Sequence, residues 1–171
     1  AASDGEALIA LDREALALAD SLDVDYLEYR GENSTHADWA NNDGLYVRFR
    51  KAIGPDPEKD MLAIPRKQRA MVRKGIKAEL SSVIDDDIER LYAVYAESVR
   101  NLGTPVFAKS YFRSLLENFG SDLDIVTIEH EGAAVASVMN FYFRDQVLPY
   151  YGGGRFDARS VAGNDFMYWE V

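Results

Sequence analysis

Two clusters of residues in this 171-residue chain have the types and spacing to do chemistry. Between positions 66 and 77 stand six basic side chains and no acid: Arg66, Lys67, Arg69, Arg73, Lys74 and Lys77. On a helix, Arg66, Arg69, Arg73 and Lys77 share one face, because neighbours three and four apart meet there. Guanidinium forks match phosphate oxygens, so such a stripe suits a phosphate-rich ligand. A solvated face that balances an acidic remainder is the alternative reading. The second cluster is Tyr150-Tyr151-Gly152-Gly153-Gly154-Arg155, placed where a strand ends and a connection to a helix begins. Glycines there let a ligand approach the backbone, and exposed amides can hold an anion. A flexible turn explains the same glycines, and Tyr151 either offers its hydroxyl to a substrate or packs in the core with that hydroxyl at the rim.

Other groups carry less. His36 and Trp39 lie in a polar stretch with no partner at ligand spacing, and Asp85-Asp86-Asp87 suits helix capping better than a metal. There is no Gly-x-Ser-x-Gly elbow, phosphate-binding Walker loop or His-Glu-x-x-His. The only acids near the glycine run are Asp157 and Asp165, so no general base, and no catalytic residue, is assigned. With no Cys there is no disulfide framework and no thiolate chemistry, and the two His, 36 and 130, are far apart in sequence, so no metal is expected. A net charge of −10 speaks against polyanion binding by the whole surface; outside 66–77 only 13 basic residues face 29 acidic ones. No apolar run approaches the roughly 20 residues of a membrane-spanning helix, which suits a cytoplasmic protein.

The elements that must position these groups follow from periodicity. Ser3 and Glu6 form a capping-box pair ahead of a helix with Leu8, Leu11, Ala15, Leu18 and Leu22 on one face, a stripe that something must cover. Strand-like runs are expected at Tyr26 to Arg30 and, half-buried, at Leu45 to Lys51. From Asp56 the chain turns helical, with a break at Pro65, as far as Gly75. A short strand near Lys77 to Val83 marks the boundary between two halves, 1–80 and 81–171. Asp85 to Asp87 then cap a helix with Ile88, Leu91, Tyr92, Tyr95 and Val99 on one face. A second helix turns Tyr111, Phe112, Leu115, Leu116 and Phe119 to the core. Runs at 123–130, 133–143 and 147–151, joined by short turns, form an antiparallel meander. The class is a mixed α/β fold of the α+β kind, an antiparallel-rich central sheet flanked by helices. With no initiator Met and a helix that starts at Asn164 and stops after about two turns, the chain reads as part of a longer one, leaving the 147–151 edge open for a neighbouring strand or a second copy.

The order of the second half, strand, two helices, meander, glycines and helix, resembles the front part of a GNAT-type acyltransferase fold. Three stretches together, Ile64 to Gly75, Phe107 to Phe112, and Tyr150 to Gly154 followed by Met167-Tyr168-Trp169-Glu170, resemble the FemAB-type transferases. The Pro65-Arg66-Lys67-Gln68-Arg69 wording is similar to the branch associated with exosortase/PEP-CTERM systems. On that resemblance residues 1–80 are the tail of a first GNAT-like half plus a connecting basic helix, and 81–171 the front of a second half. It implies a cytoplasmic enzyme that moves an aminoacyl group from aminoacyl-tRNA to an amine on a peptidoglycan precursor, with no metal or resident cofactor. Tyr111 and Tyr151 match family positions that contact the acceptor, whereas Phe107 stands where the family carries an Arg. The family's transfer-linked Lys falls past Val171, and the exosortase-like wording makes a lipid- or nucleotide-linked exopolysaccharide precursor an equal acceptor.

Two rivals stay open. An ordinary acetyl-CoA-dependent GNAT enzyme carries an Arg/Gln-x-x-Gly-x-Gly/Ala phosphate loop after its fourth strand, but Arg159 here is followed by Ser-Val-Ala-Gly163, off register. A non-catalytic domain would use the basic stripe to dock RNA or another anionic partner.

Overall fold

From Leu123 onward apolar side chains fall on both faces of each strand, so the sheet they build is covered on both sides. The computed structural model describes residues 5–30, 36–42, 44, 47 and 49–171. In it β1 (Ser81–Asp85), β2 (Leu123–His130), β3 (Ala133–Phe143) and β4 (Gln146–Gly154) form one antiparallel sheet in that order. The helices are α1 (Gly5–Ser21), α2 (Pro57–Ala63), α3 (Arg66–Lys77), α4 (Glu89–Asn101), α5 (Lys109–Phe119), α6 (Ala158–Val161) and α7 (Gly163–Glu170). The expected class and helix-flanked antiparallel sheet are those observed.

The chain divides into two compact units, Ala1–Lys51 and Ala52–Val171. In the first unit α1 buries none of its residues. Asp12 on α1 accepts from the Tyr29 hydroxyl at 2.8 Å and shares a 2.7 Å hydrogen bond with His36 Nε2. His36 stacks on Trp39 with ring centroids 4.0 Å apart, so both residues are structural. The hydrogen bond with His36, then that with Tyr29, holds the Asp12 carboxyl below its ordinary range. Tyr26 to Arg30 forms no strand, nor do Val47 and Phe49 to Lys51, where Phe49 is 89% exposed. An alternating run becomes a strand only when a neighbouring strand takes its backbone hydrogen bonds, and alternation by itself does not supply one. Ser3, Leu45, Tyr46 and Arg48, on which part of those expectations fell, lie outside the described residues.

In the second unit Asp56 caps α2, accepting from the amides of Glu58 and Lys59, with Pro57 as first helical residue. Pro65 separates α2 from α3 as its ring geometry demands. The first strand begins later than expected, at Ser81, and Asp85 belongs to it rather than to the helix cap; Asp87 alone takes a cap-side bond, from the Glu89 amide at 2.8 Å. The turn between β2 and β3 is Glu131-Gly132, both at positive φ (52° and 78°), the conformation a two-residue hairpin turn needs.

Alternation sorts the core. On one face Leu123, Ile125 and Met139 pack with Ile88 just before α4, Leu91 of α4 and Phe112 of α5. On the other Val126, Ile128, Ala136 and Val138 pack with Phe166 and Met167 of α7, and α3 lies against α7. Gly75 makes that last approach close: a methyl there would stand 2.7 Å from Phe166 Cβ.

Candidate functional site

The site grows from an irregularity in β4. Met139 pairs with Tyr151 but Asn140 with Pro149, so Tyr150 is an extra residue in β4. Such a bulge re-aims the side chains beside it. The rings of Tyr150 and Tyr151 end 4.7 Å apart at 70°. Tyr151 lies on the α4/α5 face, edge-on to Phe112 at 5.3 Å and to Tyr95 and Tyr111 at 5.9 Å, with Phe107 at 6.4 Å. Phe112 is fully buried, which anchors the first turn of α5 and so the placement of Tyr111 next to it.

The hydroxyls of Tyr111 and Tyr151 are hydrogen-bonded at 2.7 Å. Burial, then the bond to Tyr111, pushes the Tyr151 phenol far above its ordinary value. It therefore stays protonated at neutral pH and serves as a donor and acceptor, not as a base. Two phenols carry two hydrogens; one is engaged between them and the other is left to donate outward. Phe107 and Tyr150 (each 55% exposed) and Tyr111 (40%) form the open rim around this pair.

Beneath the aromatics runs a polar line. Asp85 pairs with Arg90, which also pairs with Glu129; Thr127 Oγ1 donates to Asp85 Oδ2 at 2.7 Å and is hydrogen-bonded to Ser137 Oγ at 2.8 Å. Thr127 and Ser137 are fully buried, and Ser137 faces Gly153 across the sheet. On the opposite face of the sheet, the one that carries Val126 and Val138, Asp124 accepts from Asn140 Nδ2 at 2.8 Å and from the Tyr142 hydroxyl at 2.7 Å. Burial and that bond push the Tyr142 phenol up to about 12. Asn140 Oδ1 is buried without a protein partner among the described residues.

Gly152, Gly153 and Gly154 are strand residues paired with Val138, Ser137 and Ala136, not a loop as expected from sequence. Their missing side chains are places the protein fills itself. A methyl on Gly153 would lie 2.5 Å from the Oγ of Ser98 on α4, one on Gly152 2.8 Å from Val138, and one on Gly154 against Asn164 of α7. The Glu97–Arg155 ion pair at 3.1 Å ties α4 to the residue after the run. What stays open at β4 is its outer edge, which no strand joins among the described residues.

Arg66, Arg73 and Lys77 are exposed on α3, and Arg69 is half-buried, donating Nη1 to the Leu62 carbonyl at 3.3 Å. None of the six basic residues of 66–77 has a carboxylate within 4.0 Å among the described residues, whereas Arg90, Lys109, Arg113 and Arg155 each do. The structure thus brings Tyr111 and Tyr151 together but sets the basic stripe on the other side of the sheet, outside α7. Sequence reasoning missed the contributions of Tyr95 and Tyr150, Asp124 with Tyr142, and the Thr127–Ser137 line. The Tyr150-Tyr151 doublet was a visible signal of an aromatic site; the other pairings depend on strand register. Among the described residues no group of three His, Asp or Glu could hold a metal, and no helix is long and apolar enough to cross a membrane.

Residues 64–171 match the family model of the acetyltransferase (GNAT) domain. The crystal structure of FemX superposes with a TM-score of 0.58 at 12% sequence identity, over 67% of this chain and 46% of that one. The chain spans a little under half the length of that structure, and at such identity the likeness is one of fold. No curated protein matches the chain in sequence.

Proposed function

The chain belongs to the acetyltransferase (GNAT) domain family, and on that premise we propose that it serves a FemAB-type transfer of an aminoacyl group from aminoacyl-tRNA to an amine on a cell-wall or exopolysaccharide precursor. The observation that carries this reading is the hydrogen-bonded pair Tyr111–Tyr151 in an open aromatic rim at the β4 bulge. In the reaction the acceptor amine attacks the ester carbonyl, an N–C bond forms, the ester C–O bond breaks, and the amine proton passes to the leaving ribose oxygen. No side chain need ionise. The outward O–H of the tyrosine pair holds the acceptor or the developing oxyanion, and orientation alone can lower such a barrier by about 7 to 11 kcal/mol. The donor is a co-substrate, so no resident cofactor enters.

The stripe Arg66, Arg69, Arg73 and Lys77, with the sheet between it and the tyrosines, suits phosphates remote from the reacting ester, as on the body of a tRNA. That donor would place the reaction in the cytoplasm. The open β4 edge is the surface on which a homodimer would form. The FemX-like fold and the ordered motifs support the aminoacyl version over plain acetyl transfer.

Transfer assays with aminoacyl-tRNA and acetyl-CoA as competing donors test the reading. Tyr151→Phe should lower kcat/KM about tenfold, in line with a lost hydrogen bond to a partly charged partner, and the melting temperature should barely move. Because the two phenols act as a unit, Tyr111→Phe combined with it should add little. Turnover with acetyl-CoA alone would replace the aminoacyl reading with the ordinary GNAT one. Full activity in Tyr151→Phe with a lowered melting temperature would make the tyrosine a core residue only.

A further inference from the structure

The basic stripe is not flat. Its middle member, Arg73, lines an open recess of about 380 Å3 together with Pro57, Glu58, Met61 and Leu62 on α2 and Trp169 on α7. The Arg69 bond to the Leu62 carbonyl fixes the end of α2 over α3 and so sets the wall of this recess. Three properties meet there. Arg73 has no carboxylate within 4.0 Å among the described residues, although the chain as a whole carries −10. The half-buried indole of Trp169, with Met61 and Leu62, offers a face for a flat apolar body. Glu58, at the same rim, is an acceptor that would repel a second anion but suits hydroxyls or an amino group.

We propose that this recess binds a nucleoside phosphate, with the base against Trp169, the phosphate on Arg73, and the sugar hydroxyls or base amino group toward Glu58. A guanidinium beside an indole is a recurrent way of holding phosphate and base together, and stacking tolerates any base. Lys77 and Arg66, one and two turns away on the same face of α3, extend the positive field to a neighbouring phosphate. The opposite charges at the rim separate this ligand from an alkyl phosphate, which would fill the apolar part and leave Glu58 facing its head group. The inference rests on the anion-binding reading of α3 given above and adds a site on the side of the sheet away from the tyrosines.

Calorimetric titration at low salt with AMP, adenosine, inorganic phosphate and octyl phosphate is the test, with Trp169 fluorescence read in parallel. AMP should bind at least tenfold more tightly than adenosine, phosphate or octyl phosphate and should quench the fluorescence, a response lost in Trp169→Phe. Arg73→Gln should weaken AMP tenfold or more and Arg73→Lys by less, while Lys67→Gln changes it less than twofold. Thermal melting of each variant shows that the fold is kept. Octyl phosphate binding as tightly as AMP, AMP binding no better than phosphate, or AMP indifferent to Arg73→Gln would each overturn the proposal. Salt-dependent binding of tRNA that survives while AMP fails would sink the recess alone; loss of both would remove the anion reading of α3 with it.

Discussion

The two faces of the sheet are filled by different means, although the same strands supply both. Toward α7 the sheet shows Val126, Ile128, Ala136 and Val138, whose packing is dry and close, with the polar group Asp124, Asn140 and Tyr142 apart from them toward the start of β2. Toward α4 and α5 the alternate positions hold Thr127, Ser137 and Tyr151 beside Ile125 and Met139. Buried hydroxyls are tolerated only where partners meet them, and here Asp85, itself held by Arg90, and Tyr111 do so. The difference separates tasks. The α7 face resists rearrangement and serves as scaffold, while the α4/α5 face keeps polar groups that can be handed to a ligand at its open rim.

The largest expected break of this contrast lies on the dry face. Phe166, 5% exposed, fills the space between Gly75 and the sheet. Phe166→Ala should cost about 3 to 5 kcal/mol in denaturant unfolding. A loss below about 1 kcal/mol would show that this face is not the scaffold. A smaller effect is expected where α4 meets β4. Gly153→Ala places a methyl 2.5 Å from Ser98 Oγ and should cost about 1 to 3 kcal/mol. Combining it with Ser98→Gly should recover part of the loss beyond additivity; strict additivity of the two would mean that Gly153 is not held for packing.

The smallest expected effect concerns one phenol on each face. Tyr142 and Tyr151 both have raised phenol values in the folded state, so folding favours their protonated forms. Their contribution to stability is fully present below the unfolded value near 10 and is lost as pH rises through the folded values, from about 10 toward 12 for Tyr142. Alkaline unfolding curves of the parent and of Tyr142→Phe with Tyr151→Phe should therefore keep a constant offset at pH 7 to 9, and above pH 10 the stability of the parent should fall more steeply than that of the variant. A double variant that loses stability above pH 10 as steeply as the parent would show that the phenols are not protected by the fold.

Legibility from sequence differed with the reach of the signal. The strands at 123–130 and 133–143 were readable to the residue, because β-branched runs bounded by a Glu131-Gly132 turn carry their own register. Helices α3, α4 and α5 are readable from their stripes, whereas only the family resemblance links Tyr111 with Tyr151, whose hydroxyls meet through the fold. Tyr26 to Arg30 and Phe49 to Lys51 alternate without forming a strand, because alternation over a few residues does not say whether a neighbouring strand exists. Asp85 was assigned to a cap since local sequence cannot show that Arg90 and Thr127 wait for it. The glycines were read as a loop, although their cause is a helix pressing on each side of one strand.

By itself the sequence determined the mixed class, the meander, the α3 stripe and the residue types available for a site, because these follow from periodicity, turn chemistry and charge within a few residues of one another. Only the tertiary structure decided that the stripe and the tyrosine pair lie on opposite sides of the sheet, that the bulge at Tyr150 turns Tyr151 toward α5, and that Arg73 shares a recess with Trp169. The physical reason is that each of these depends on strand register and helix docking, which are set by close packing among residues distant in the chain. A one-residue change in the β3–β4 register would carry Tyr151 to the other face, and nothing in its immediate neighbours forbids that.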